Sequence, residues 1–216
     1  MILTTTIHAV KKSLSPARMT TYEAATANEA EALMLYVWNA QVSAALLMPL
    51  HICEVVMRNT VSEALEATYG HRWPWSQGFE RSLPNPPVGY NSCHDLHAAR
   101  RTSDTTGKLI PELKFVFWQK MFTSRHDTRL WDRYLFNVLP NVDQNKSAST
   151  IRQSVYQDLE VIRTLRNRIA HHEPIFNRNL AADFQLIENL IKLRCRLTAD
   201  WMVKHQQALS MINDKP

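Results

Sequence analysis

Hydrophobic residues recur along most of this chain at helical spacing, three and four residues apart, and almost nowhere in strict alternation. Ser15-Pro16 reads as a helix start, serine as N-cap and proline in the first turn, and predicts a short helix to about Ala25. Asn28 is suited to cap a second helix through EAEALMLYVWNAQVSAALLM. Pro49 stops that helix or opens the next, which runs from about Leu50 to Thr68 and ends at Gly70. Residues 71–108 change character, with Trp73-Pro74-Trp75, LPNPPVG and TSDTTGK, and predict a loop-rich insertion with one short helix near 92–101. Helices resume at about 111–123 and 128–138, and NVDQNKSAS is a polar connector. A long helix is then expected from about Ser149 to His171, ended by Glu173-Pro174, and a last one from about Leu180 to Gln207. With no internal repeat and no low-complexity tract, the reading is an all-α fold, one helical domain over 1–216.

Helical wheels sharpen this picture at two places. Val155, Leu159, Ile162, Leu165 and Ile169 form one apolar stripe, and Arg166 falls inside it. Asn167 and His171, four apart, share the other side and are expected to face a cleft or another subunit. Leu46, Leu50, Cys53, Met57, Val61 and Leu65 form a second stripe with Glu54 inside it and Arg58 at its edge. A buried charge needs a partner, so the wheels predict that the two helices pack with Glu54 bonded to Arg166, Arg58 or both.

Composition narrows the class. The chain has 216 residues, 45% of them hydrophobic and 21% charged, which suits a globular protein with a sizeable core. Net charge is +5, carried by 16 Arg and 9 Lys against 20 acids. Arginine forks phosphate well, so the excess fits a nucleic-acid partner, and also an ordinary solvated surface. Cys53, Cys93 and Cys195 are far apart and odd in number, which points to a reducing compartment; Cys53 and Cys195 read as small core residues. The N-terminal stretch lacks the apolar core of a secretory signal, and no apolar run approaches a membrane span, so a cytoplasmic location is expected.

Candidate chemistry concentrates in Leu165-Arg166-Asn167-Arg168-Ile169-Ala170-His171-His172-Glu173-Pro174. An imidazole moves protons near neutral pH, a guanidinium holds phosphate and stabilises charge developing on it, and an amide orients either. Arg-x4-His alone is expected by chance about 0.6 times in such a chain; requiring Asn after the Arg lowers this to roughly 0.04. The competing reading is a basic helix end whose Arg and His favour the macrodipole and cap carbonyls. His94 and His97 lie three apart, but Cys93 and Asp95 are their only neighbouring candidate ligands, and His171-His172-Glu173 has no third ligand at good spacing; neither metal nor cofactor is assigned. No phosphate loop, GxSxG elbow or HExxH is present. Trp73 and Trp75, beside His71 and Arg72 in a predicted loop, are the aromatics best suited to stack on RNA bases; Phe115, Phe117, Trp118, Trp131 and Tyr134 read as core.

Taken in order, these residues resemble the Abi-like (abortive infection) family of bacterial proteins, within the HEPN superfamily. The likeness covers most of the chain. It rests on the N-terminal helices with Tyr36, Trp38, Asn39, Glu54, Arg58 and Asn59, on LKFVFWQKMF, and on LRNRIAHHEPIFNRNLAAD. It implies a HEPN-like helical bundle that forms a homodimer, with one Arg-Asn-x3-His set per copy meeting in a composite RNA-cleavage site. Arg166, Asn167 and His171 would be catalytic, with Glu54, Arg58, Asn59 and His172 supporting. The implied reaction is metal-independent: the RNA 2′-hydroxyl attacks the adjacent phosphate and leaves a 2′,3′-cyclic phosphate. The implied role is phage defence or toxicity, with an antitoxin, an associated small RNA or infection as alternative controls. Some HEPN toxins carry a tyrosine two positions after the histidine; here that position is Glu173. The alternatives are a non-catalytic HEPN RNA-binding or scaffold protein, and a structural helical protein whose Arg and His cap a helix.

Overall fold

A computed structural model describes residues 3–216, and every regular element among them is helical. The first helix, α1 (Thr4–Leu14), precedes the predicted start and meets α2 (Pro16–Glu23) at Ser15, whose hydroxyl accepts from the Arg18 N–H at 3.3 Å. Asn28 caps α3 as expected: its side chain accepts from the Glu31 N–H at 3.0 Å, and the Glu31 carboxylate accepts from the Ala27 N–H at 3.0 Å.

The helix that follows is not two but one, α3 (Glu29–Tyr69), running through Pro49 to Gly70. An interior proline removes one backbone donor and costs about 3 kcal/mol. Here Pro49 is buried in one apolar stripe with Leu46, Leu50 and Cys53, and that packing on both sides of the proline offsets the lost bond. By length and composition α3 is apolar enough to cross a membrane, although the sequence holds no unbroken apolar run of that length. One stripe of this apolar helix enters the core; Met34, Val37, Leu47 and Val55 on another are exposed.

The 71–108 segment carries more helix than expected: a 3-10 turn at Trp73–Trp75, then α4 (Gln77–Ser82), α5 (Ser92–Thr102) and α6 (Thr106–Leu109). Trp73 is fully buried, donates its indole N–H to the Ser62 hydroxyl at 3.1 Å and packs edge-on against Phe79 and Trp118. It is therefore a core residue and not a base-stacking one. Trp75 is half-buried under the Arg72 guanidinium, 4.6 Å from its ring centre.

Beyond a 3-10 turn at Ile110–Glu112, the 111–138 region folds as α7 (Phe115–Lys120), a second 3-10 turn (Ser124–His126), a π-helical turn (Asp127–Trp131) and α8 (Asp132–Val138). Arg152 ties the π turn to α9 (Ala148–Ala170) through a two-point contact with Asp127 at 2.9 and 3.2 Å.

The expected last helix is broken into α10 (Leu180–Arg194) and α11 (Arg196–His205), and a short α12 (Ala208–Asn213) follows beyond its expected end. The break at Cys195 has a donor-side cause. The connector residue Asn141 donates its backbone N–H to the Leu193 carbonyl at 3.1 Å and its amide to the Lys192 carbonyl at 3.0 Å. These are carbonyls a continuing helix would have bonded itself. Cys195, at the break and half-buried, is not the helical core residue its pattern suggests, whereas Cys53 is fully buried. Buried apolar residues from Ile7 to Ala208 form one cluster with α3 as its spine, packed by α2, α8, α9, α10 and α12.

Candidate active site

Glu54 sits where α3 faces α9. Its side chain, 13% exposed, pairs with Arg58 one turn along, itself 17% exposed, and with the Arg166 Nε at 3.8 Å. The two wheels thus place the carboxylate correctly between both arginines. They misplace Arg166, whose side chain is 42% exposed although its stripe neighbours Ile162, Leu165 and Ile169 are buried. The long stem passes over the apolar stripe and carries the guanidinium to its rim. The space it reaches is a cleft of about 390 Å³ between α3, α9 and the 111–116 segment.

The cleft is basic. Arg58, Lys114, Arg163 and Arg166 line it with Asn167, against the single carboxylate of Glu112. Most of these cations are neutralised from behind: Arg58 by Glu54, Arg163 by Glu160, and Lys114 by Asp95 at 3.1 Å. Arg166 shares Glu54 only at a long distance and makes no hydrogen bond among the described residues. Its donors are the ones left for an anion entering the cleft. Lys114 and Arg163 were not singled out from sequence. Arg163 lies one turn before Arg166 on α9, a signal the wheel contains, whereas Lys114 reaches the cleft only through the fold.

The supporting residues divide. Arg58 lines the cleft, and Glu54 pairs with it from outside the lining; Asn59 is exposed on α3 with no side-chain hydrogen bond among the described residues. His171 is exposed at the C-cap of α9, one turn beyond Asn167, and its N–H donates to the Asn167 carbonyl at 2.9 Å. A single chain therefore brings Arg166 and Asn167 into the cleft and leaves His171 at the end of the same helix, outside the lining.

The helix end itself is closed by a Schellman turn. The Glu173 N–H donates to the Arg168 carbonyl at 2.8 Å and the His172 N–H to the Ile169 carbonyl at 3.0 Å. The position that favours glycine in this turn holds His172, with φ +56°. Arg18 donates to the His172 carbonyl at 2.6 Å, and Asn39, buried, accepts from the Ile175 N–H at 2.8 Å. These contacts from α2 and α3 hold the turn in a conformation histidine does not favour, and they set the direction in which His171 leaves the helix. The His172 side chain lines a different, mostly apolar groove with Tyr22, Tyr36 and Leu47. Outside both spaces, Glu80, Cys93 and His97 are the one group of three metal-capable side chains brought together among the described residues.

No protein-family model, curated protein or solved structure matches the chain.

Proposed function

We propose that this protein is an endoribonuclease whose site combines Arg166, Asn167 and His171 from two copies of the chain. The observation that carries the reading is the Arg166–Asn167 pair lining a basic cleft, with Arg166 held through Glu54 and its donors unspent. An RNA phosphate entering the cleft meets Arg166, which stabilises the charge gathered on the five-coordinate phosphorus. The 2′-oxygen bonds to phosphorus, the bond to the 5′-oxygen breaks, and a 2′,3′-cyclic phosphate and a 5′-hydroxyl result. One His171 takes the 2′-hydroxyl proton and the other gives a proton to the leaving oxygen, the division of labour that two copies permit. Asn167 orients the phosphate or the imidazole. Every step uses side chains of the protein and the RNA's own hydroxyl.

Support for the second copy comes from two features. His171 is exposed at the end of α9, outside the cleft of its own chain, and the exposed apolar residues Met34, Val37, Leu47 and Val55 lie along one side of α3. Cleavage of cellular RNA by such a pair gives growth arrest, as in phage defence or a toxin.

Incubation of the full chain with total RNA in EDTA, beside His171→Ala, tests the reading. It expects cleavage by the parent, cyclic-phosphate ends and a strong loss in the variant. Equal cleavage by both, or by neither, overturns it. The position of His171 outside the cleft favours a second reading, RNA binding without cleavage; retained RNA affinity with no cleavage by the parent would establish that one.

A further inference from the structure

Glu80 reaches from α4 to α5, where Cys93 and His97 stand one turn apart on the same face. Its Oε1 lies 3.0 Å from the His97 Nε2, and the Cys93 Sγ lies 3.9 Å from that nitrogen. One ligand atom from each residue falls within 4.8 Å of the other two. A tetrahedral zinc ion, about 2.0–2.3 Å from each donor, holds its ligand atoms roughly 3.3–3.6 Å apart. Side-chain rotations of a few tenths of an ångström to about one ångström bring the three donors to that spacing.

We propose that Glu80, Cys93 and His97 form a site for a divalent transition metal, zinc by its donor chemistry, that staples α4 to α5. The donor set is one thiolate, one imidazole and one carboxylate. Two anionic ligands balance a divalent charge, and the mixture of sulfur and nitrogen selects zinc over magnesium or calcium. Arg100 holds the other carboxylate oxygen at 2.6 Å and is itself tied to the Pro74 carbonyl at 2.6 Å, so Glu80 is oriented before any ion arrives. The His97 side chain is 48% exposed, which gives an ion entry from solvent and leaves the fourth corner of the tetrahedron to water.

The staple closes the stretch containing Pro84, Pro86 and Pro87, which has no regular structure of its own. It also acts on the cleft wall, because α5 carries Asp95, the partner of Lys114. This site is independent of the cleavage reading: no step of that reaction passes through it.

The test uses the full chain, freed of metal by a chelator and titrated with Co²⁺. One ion per chain is expected, with a thiolate-to-cobalt charge-transfer band and the strong visible bands of tetrahedral cobalt, displaced by Zn²⁺. Zinc at about 100 times Kd should raise Tm by about 5–10 °C. Cys93→Ser should lose the charge-transfer band, and His97→Gln should weaken binding at least about 10-fold. Cys195→Ser and His94→Ala should keep both signals. Far-ultraviolet circular dichroism in chelator checks that each variant folds, and the spectrum of the parent is decisive by itself. No thiolate band in the parent, an undiminished band in Cys93→Ser, or a Tm indifferent to zinc would overturn the site.

Discussion

Glu54 and Glu80 are each shared between two partners, yet the two carboxylates sit in unlike surroundings. Glu54 lies between the long helices α3 and α9 and meets two permanent cations, Arg58 and Arg166. Glu80 lies between two short helices and meets one permanent cation, Arg100, and one imidazole beside a thiol. The first cluster carries one carboxylate against two guanidinium groups, and its effect is to aim the surplus cation, Arg166, into a cleft. The second holds donors that a metal would satisfy better than they satisfy one another. The long-helix layer is thus suited to positioning chemistry, and the short-helix layer to being held in shape.

That contrast breaks most readily at His171. His171→Ala should lower RNA cleavage about 10²–10⁴-fold while shifting stability by less than about 0.5 kcal/mol, because the side chain is exposed and unbonded. A large fall in Tm with cleavage retained would mean that His171 caps the helix and does no chemistry. In the same assay EDTA should leave cleavage in place while lowering Tm, which separates the two layers in one sample.

Glu54→Ala should cost the long-helix layer both stability and cleavage. It leaves Arg58, mostly buried, without its carboxylate, a loss of about 2–4 kcal/mol in urea unfolding, and frees Arg166 from its orientation, lowering cleavage at least about 10-fold. Unchanged stability would show that Arg58 reaches solvent or another acid.

Acid sensitivity should arise in neither carboxylate cluster but at the 3-10 turn Ser124–His126, which packs on α9. His126 is buried, and its imidazole is pushed from 6.5 down to about 4, mainly by burial and then by Arg125 and Arg129. Below pH 6.5 the unfolded chain takes up a proton that the folded chain refuses. Stability contributed by this group is therefore complete above about pH 6.5 and falls as pH drops toward 4, by up to about 3 kcal/mol. Unfolding followed against pH should show this slope, and His126→Gln should flatten it; an identical slope in the variant would place the acid sensitivity elsewhere. The smallest effect is expected at the turn between α9 and α10. His172→Gly relieves a positive φ and should raise stability by about 0.5–1 kcal/mol, seen as a Tm rise of about 1–4 °C. A fall would mean that the imidazole's contacts in the groove beside Tyr22 and Tyr36 outweigh the strain.

Much of this architecture is legible along the chain. The caps at Ser15 and Asn28, the stripe of α9, the pairing of Glu54 with Arg58 and the short helix at 92–102 follow from side chains within a turn or two of one another, and the pairing of Glu54 with Arg166 from the need of a charge on an apolar stripe for a partner. Other features are not. Pro49 reads as a helix end because local rules count only its lost hydrogen bond, and its burial in the core is a tertiary fact. Cys195 reads as helical because nothing near it in sequence reveals that Asn141 takes the carbonyls of α10. Trp73 reads as a loop residue until Phe79, Trp118 and Ser62 close over it.

The same division runs through the two carboxylate clusters. Sequence by itself determined the all-helical class, the Arg166-Asn167-His171 spacing and the need of Glu54 for a cation, since helical periodicity ties each to its near neighbours. Only the tertiary structure decided that Arg166 turns out to a cleft, that Lys114 joins it there, and that Glu80 completes Cys93 and His97. Those partners come from separate helices, and the charge and donor geometry they create exists only once packing has brought the helices together.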